Sequence, residues 1–191
     1  MINEEIIKSW GVPESIKDKN IEFIFDIKDL NSEITKDKVI GELYCYDKVP
    51  EIFSCFLDGG SKFCLYNKEN NKIIFTMEFK IFKRKLFDEK QGKSIKLNCI
   101  CTNDSEMRYK GIASYYLKKL IEFGIDNNIN IFDLYPNPYD EAFEGIGTEK
   151  TLTKERLEEF YIKNFKELGF NHKYYYEDEE CEEQSLLFIK D

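Results

Sequence analysis

The chain has 191 residues, of which 42% are hydrophobic and 34% are charged, and this length and balance predict one soluble globular domain with its own core. The formal net charge of −9 argues against a nucleic-acid partner, because a phosphate backbone is bound mainly by basic side chains. No apolar run approaches the ~18 residues of a membrane span, and the acidic N-terminus lacks the basic start and apolar core of a signal peptide. We therefore expect a cytoplasmic protein that has no membrane partner.

The cysteines and the histidine do not predict a metal centre. The six cysteines lie mostly in apolar or strand-like runs and form no Cys-x-x-Cys pair, so reduced core thiols are expected. His172 is the only histidine, which leaves a zinc site or a Ser-His-Asp triad without support. We expect no bound metal.

The first third of the chain predicts a short helix followed by strands. Residues 2–10 have the pattern of a helix, and the segment Gly11-Val12-Pro13 ends it. Residues 21–28 alternate apolar and polar side chains, as in a strand with one buried face. The remaining expectations here are a loop or brief helix at 29–38, a strand at 39–46, an apolar stretch without a clear period at 49–57 and a turn at 58–61.

The middle of the chain predicts a hairpin and then a strand–helix–strand unit. A unit this short implies two parallel strands and a right-handed crossover. The predicted elements are strands at 63–66, 72–82, 94–101 and 129–134, a turn at 67–71, a charged and solvated connection at 83–93, and a helix that begins at Ile112.

The last third predicts a loop, a helix and a closing hairpin. Two prolines fix the loop at 135–141. Thr153 is suited to cap the start of the helix, and Gly169 is suited to cap its end. The closing hairpin is expected from strands at 172–176 and 186–190.

The junction between the strand at 94–101 and the helix that follows suits an anion. Arg108 and Lys110 are basic, and Gly111 directly precedes the helix. Backbone N–H groups without intrahelical partners and the positive end of the helix dipole meet at a helix N-terminus, where they bind phosphate. Gly111 lets the backbone approach the anion, and Ala113 keeps the next turn thin. The alternative is an ordinary basic first turn that has no ligand.

This junction resembles the acetyl-CoA motif of the GNAT superfamily of N-acetyltransferases. Arg108, Gly111 and Ala113 match its pattern, (Arg/Gln)-x-x-Gly-x-(Gly/Ala), after a strand and at the start of a helix. The block LEEFY at 157–161, followed by LGF at 168–170, is similar to the family's helix that carries Phe-Tyr and ends in Gly-Phe. The resemblance covers the chain from about residue 73 to the C-terminus.

The resemblance implies an α/β (α+β) fold in a single domain over residues 1–191. Its mixed, mostly antiparallel sheet would contain a splayed parallel strand pair and would be flanked by helices. Acetyl-CoA would be the acyl-donor cosubstrate, with its pantetheine arm along the strand backbone at 99–102 and its pyrophosphate at the helix N-terminus. A main-chain N–H of that strand would polarise the thioester carbonyl. The expected cofactor-binding residues are Ile100, Cys101, Thr102, Met107, Arg108, Tyr109, Lys110, Gly111, Ile112, Ala113 and Ser114.

Tyr161 is the expected catalytic residue. Acetyl transfer to an amine expels a CoA thiolate, which a phenol with an ordinary pKa of ~10 can protonate at neutral pH. The alternative is that Tyr161 is a core side chain of an aromatic helix. The general base is left open among Glu78, Asp133, Asn98 and water, and none of these is assigned.

The implied function is acetyl-CoA-dependent N-acetylation of a primary amine by direct transfer in a ternary complex. The alternative is a non-catalytic GNAT-like module that binds CoA or a protein partner. Residues 29–61 look more strand-like than the helices that GNAT relatives usually place there to wall the acceptor side. The acceptor therefore stays open among small amines, antibiotics, polyamines, amino acids and proteins, and the resemblance is compatible with a homodimer.

Overall fold

A computed structural model describes residues 3–25, 61–85, 91–138, 151–176 and 184–190. The expectations for 29–38, 39–46, 49–57 and 58–60 lie outside the described residues, as does the segment at 139–150. Within the described ranges, no helix is both long enough and apolar enough to cross a membrane.

Seven strands form one mixed sheet in the order β1-β2-β3-β4-β5-β7-β6. The strands are β1 (Ile21–Ile24), β2 (Ser61–Asn67), β3 (Lys72–Lys85), β4 (Gln91–Cys101), β5 (Ile131–Leu134), β6 (Asn171–Tyr176) and β7 (Gln184–Ile189). β4 and β5 run parallel, whereas β7 is antiparallel to both β5 and β6, and β1 is antiparallel to β2. The predicted mixed, mostly antiparallel sheet is confirmed, as are the parallel pair and the closing hairpin.

The helices begin where the sequence pattern changes. They are α1 (Glu4–Ser9), α2 (Ile112–Asp126) and α3 (Lys154–Glu167), with short 3-10 helices at Glu14–Ile16 and Ser105–Met107. The apolar residues at helical spacing in α2 form its inner face. Ala113 is half-buried, and five others are nearly inaccessible to solvent: Ile112, Tyr116, Leu117, Leu120 and Ile121. Thr153 caps α3 as expected, since its Oγ1 accepts a hydrogen bond from the Arg156 N–H.

The expectation of a solvated connection at 83–93 is wrong in part. β3 continues to Lys85, and β4 already begins at Gln91. Charged residues do not end a strand when its side chains reach water, and both Lys83 and Lys93 are exposed. The backbone ladder therefore extends into a segment that composition alone assigns to a loop.

Contacts between residues divide the chain into two compact units, each described by itself. The first comprises Met1–Glu78, Cys99–Tyr116 and Tyr139–Thr151, and the second comprises Phe79–Asn98, Leu117–Pro138 and Leu152–Asp191. That the whole chain forms a single domain stays a prediction.

The first unit has an aromatic core around Tyr116. Its ring stacks on Phe75, with the centroids 5.0 Å apart, and meets Phe63 edge-on at 5.2 Å. The Tyr116 hydroxyl donates a hydrogen bond to the Gly11 carbonyl at 2.9 Å, and the neighbouring Tyr115 hydroxyl donates to the Trp10 carbonyl. The start of α2 is thereby tied to the segment that follows α1.

The second unit has its own aromatic core. Phe165 of α3 stacks on Phe188 of β7, with the ring centroids 3.9 Å apart. Phe132 of β5 meets Phe165 edge-on at 5.2 Å and Phe170 at 5.4 Å. Lys118 of α2 and Glu167 of α3 form an exposed ion pair in which Nζ lies 2.6 Å from Oε2.

Candidate functional site

The candidate site is the connection from β4 to α2, residues 102–111, which lies wholly within the first unit. Its middle is a single 3-10 turn at Ser105–Met107, and the side chain of Asp104 caps this turn by accepting a hydrogen bond from the Glu106 N–H at 2.9 Å. Met107 buries its side chain. The predicted junction is thus a structured loop, which lowers the entropy lost when a ligand binds.

Asn103 fastens the start of this loop to β3. Its backbone N–H donates to the Ile74 carbonyl at 3.0 Å, and its Nδ2 donates to Thr76 Oγ1 at 2.9 Å. Thr76 is itself buried, and its Oγ1 lies 3.5 Å from Cys64 Sγ. The sequence analysis missed Asn103 and Thr76. The available signal was the run Asn103-Asp104-Ser105, because these side chains favour turns and caps.

Arg108 directs its guanidinium to groups of the protein. Its Nε donates to the Thr102 carbonyl at 3.2 Å, and its Nη1 donates to Thr151 Oγ1 at 3.1 Å. Thr102 directly follows β4, and Thr151 precedes the N-cap of α3 by two residues. The sequence analysis expected Arg108 to hold a phosphate and did not identify Thr151.

The loop turns into α2 through two left-handed residues. Tyr109 has a φ of 63°, and Gly111 has a φ of 78°. The first hydrogen bond of α2 runs from the Tyr115 N–H to the Gly111 carbonyl at 2.9 Å, so the N–H groups of residues 112–114 precede the first intrahelical donor. Left-handed residues next to a helix N-terminus form a concave backbone site that attracts anions.

The space and charge around this turn also suit an anion. A Cβ placed on Gly111 would meet no atom of the described residues within 4 Å, so the backbone is open on that side. Lys110 is exposed, and Tyr109 is 69% exposed. Ile100 and Cys101, at the end of β4, are half-buried, as are Ala113 and Ser114 in the first turn of α2. All eleven predicted cofactor-binding residues therefore belong to one continuous segment of the first unit.

Tyr161 belongs to the second unit and is described separately. It lies on α3 and is only 6% exposed, and its ring meets that of Phe160 edge-on at a centroid distance of 5.3 Å. Among the carboxylates weighed as the general base, Asp133 of β5 is buried and lies in register between Lys96 of β4 and Leu187 of β7. Its carboxylate therefore shares a sheet face with a lysine, an arrangement that also occurs in purely structural ion pairs.

His172 is exposed, and its ring lies 5.7 Å from that of Tyr174. In the part of the chain that the structure describes, no group of three or more His, Cys, Asp or Glu side chains could hold a metal ion. Cys64 is buried, Cys99 and Cys101 are half-buried, and all three are free thiols.

Comparison with known proteins finds likeness in structure and none in sequence. No profile of a protein family and no curated protein matches the sequence. A Trypanosoma brucei acetyltransferase is similar in structure, with a TM-score of 0.52 and 13% identity over 85% of this chain and 100% of that chain. NAA60 of Arabidopsis thaliana, solved with a bisubstrate analogue, gives a TM-score of 0.51 and 12% identity, and the match covers 90% of this chain and 98% of that chain. A chain of a NatC complex bound to Gag peptide and CoA gives a TM-score of 0.50 and 13% identity, and the match covers 89% of this chain and 97% of that chain.

At sequence identities this low, structural similarity supports a conclusion about the fold alone. The similar structures cover nearly the whole of their own chains, and the described strands of this protein form the mixed sheet, with one parallel pair and flanking helices, that the sequence analysis expected. This chain has the fold of the GNAT N-acetyltransferases.

Proposed function

We propose that the protein transfers an acetyl group from acetyl-CoA to a primary amine, directly within a ternary complex. The observation that carries the proposal is the left-handed turn at Tyr109 and Gly111, which leads into the open N-terminus of α2. Such a turn suits a pyrophosphate. The fold adds support, because the similar NatC and NAA60 structures were solved with CoA and with a bisubstrate analogue.

The residues of the 102–111 loop and its neighbours fit an anionic acyl carrier. The N–H groups of residues 112–114 would accept the pyrophosphate, and the open side of Gly111 leaves room for it against the backbone. The extended backbone of Ile100, Cys101 and Thr102 would take the pantetheine arm as an added strand. Met107 would act through its backbone, since its side chain is buried.

The chemistry divides between the backbone of β4 and Tyr161. When bound, acetyl-CoA supplies a thioester whose carbonyl carbon accepts the amine nitrogen. A main-chain N–H at the end of β4 would polarise the carbonyl oxygen as negative charge develops on it. Tyr161 would give its phenol proton to the departing thiolate while the nitrogen–carbon bond forms and the carbon–sulfur bond breaks. The amine loses its own proton to water or to a base that we do not assign.

The burial of Tyr161 fits a second candidate equally well, a module that binds CoA without turnover. A tyrosine that is 6% exposed and packs against Phe160 serves as a core side chain whether or not the protein is an enzyme. The two candidates share the CoA site and differ only in the transfer step, so binding and turnover are tested separately.

Calorimetric titration of CoA and acetyl-CoA tests the binding site. The parent protein is compared with Gly111→Glu and Gly111→Gln, which add side chains of the same size and impose the same strain at a φ of 78°. We expect micromolar binding to the parent, weaker binding to Gly111→Gln, and at least a tenfold further loss in Gly111→Glu from repulsion of the pyrophosphate. The absence of binding to a folded parent at millimolar ligand would refute the proposal.

Release of free thiol from acetyl-CoA tests turnover. The acceptors are a small primary amine, a polyamine, an amino acid and a peptide with a free N-terminal amine. Tyr161→Phe is expected to lower turnover at least tenfold while the affinity for CoA is preserved, because it removes only the hydroxyl. Unchanged turnover would remove Tyr161 from the mechanism, and CoA binding without turnover of any acceptor would favour the second candidate.

A further inference from the structure

One side of α3 carries a shallow hollow that has an isoleucine in its lining. The hollow has a volume of about 400 Å³, and its lining residues lie at helical spacing: Glu159, Ile162, Lys163, Lys166 and Glu167. Ile162 is half-buried, and the four charged residues around it are exposed. The side chains that α3 buries are others, namely Tyr161, Asn164 and Phe165. A single apolar side chain on a surface is common, so the inference depends on the charges around it.

Three of the four charged side chains around the hollow are left without a partner. Glu167 is engaged, because its Oε2 lies 2.6 Å from Lys118 Nζ of α2. Glu159 and Lys163 have the spacing at which a glutamate and a lysine pair along a helix. Within the described residues, however, no hydrogen bond or ion pair engages Glu159, Lys163 or Lys166. The face therefore presents both signs of charge beside an apolar centre.

The two signs are placed so that the face is complementary to itself. Glu159 and Lys166 lie two helical turns apart, ~10 Å, on either side of Ile162. In a closed dimer the same surface meets itself about a two-fold axis, so the two α3 helices would run antiparallel. Glu159 of each copy would then lie opposite Lys166 of the other, with the two Ile162 side chains between these pairs. A partner of one charge sign would match only one end of the face, whereas a second copy matches both ends.

We propose that this face of α3 is the interface of a dimer of two copies of the chain, in which Glu159 and Lys166 pair across the two-fold axis on both sides of Ile162. The proposal is independent of the proposed function, because it involves neither CoA nor an acceptor. An apolar centre with a charged rim is the usual composition of such an interface. Since exposed ion pairs give specificity more than affinity and are screened by salt, the dimer should be concentration-dependent and should weaken as salt is added.

Sedimentation velocity of the full chain from micromolar to millimolar concentration measures the dimer. Glu159→Lys and Lys166→Glu should each weaken it at least tenfold, because each places like charges opposite each other at both ends of the interface. The double variant Glu159→Lys/Lys166→Glu should dimerise as the parent does, because it restores both pairs with their signs exchanged. Arg156→Glu is the matched control. It lies exposed on α3 outside the hollow and changes the net charge as Lys166→Glu does, so it should dimerise as the parent does.

Mixing the two single variants tests the antiparallel geometry. A copy with Glu159→Lys carries two positive charges on this face, and a copy with Lys166→Glu carries two negative charges, so each stays monomeric alone and the two together should form a heterodimer. A folded parent that stays monomeric at millimolar concentration would overturn the proposal. So would a dimer that tolerates both single substitutions, or single variants that remain monomeric when they are mixed.

Discussion

Gly124→Ala in α2 sets helix propensity against packing. Alanine is favoured over glycine inside a helix by roughly 1 kcal/mol, so propensity alone predicts a more stable protein. The surroundings predict the opposite. A Cβ on Gly124 would lie 3.1 Å from the Ile129 carbonyl oxygen and 3.1 Å from Phe132 Cε2, and closer still to Phe132 Cζ. Ordinary carbon contacts lie at about 3.5–4.0 Å.

The Phe132 ring has little room to move away from such a Cβ. It is 1% exposed and lies edge-on to the rings of Phe165 and Phe170. Overpacking of a core costs about 1–3 kcal/mol, and contacts with both a backbone oxygen and an enclosed ring place this case near the upper end. After the gain in propensity is subtracted, we expect a net loss of about 2 kcal/mol, or roughly 4–8 °C in Tm for a chain of this size.

Thermal and urea unfolding of the parent and Gly124→Ala measure this loss. Phe132→Leu provides the control, because leucine lacks the ring atoms that the new Cβ would meet. In the Phe132→Leu background, Gly124→Ala should cost almost nothing or stabilise, which gives a coupling free energy of about 2 kcal/mol between the two sites. A higher Tm for Gly124→Ala in the parent, or the same cost in both backgrounds, would refute the reasoning.

Three further predictions concern the cap of α3 and two polar contacts. Thr153→Ala should lower the free energy of unfolding by about 1 kcal/mol in urea titrations, because it removes the acceptor of an N-terminal helix N–H, and an unchanged midpoint would contradict the cap. Tyr116→Phe should cost about 1–2 kcal/mol, since the Gly11 carbonyl loses its donor. Burial raises the pKa of Tyr116, so stability should fall as pH rises above ~10, the value of an unfolded phenol. In Tyr116→Phe this part of the pH dependence should disappear. Lys118 holds the pKa of the Glu167 carboxyl below its usual value through a hydrogen bond, so the pair's contribution should be lost as pH falls. Lys118→Met should return that pKa to the ordinary range in a carboxyl NMR titration.

The β4–α2 junction could be predicted from sequence because its signals are local. The change from a period of two to a period of 3.6 marks where the strand gives way to the helix, and α2 indeed begins at Ile112. Gly111 has a φ of 78°, a conformation that glycine adopts readily. The closing hairpin follows from two apolar strands separated by a charged segment, and its register pairs His172 with Phe188. Each of these inferences needs only neighbouring residues.

The contacts that hold the loop could not be predicted, because they join segments far apart in the sequence. Asn103 reaches Thr76 across 27 residues, and Arg108 reaches Thr151 across 43. Nothing in the local sequence distinguishes Thr76 and Thr151 from the four other threonines of the chain. The extent to which Tyr161 is buried could not be predicted from the sequence either. Its place on an aromatic helix favours an inward position, and only the packed second unit reveals how little of it remains exposed.

Arg108 illustrates how a motif can locate a candidate site without revealing the contacts that its side chains make within the protein. A basic residue beside a helix N-terminus is read as a ligand for phosphate, because charge is the property that sequence displays. The dipole of the helix repels that same cation when no anion is bound. An arginine kept at such a position needs acceptors of its own, and Thr102 and Thr151 provide them. The bridge offsets this repulsion with contacts inside the protein, while the Lys110 side chain stays exposed to solvent.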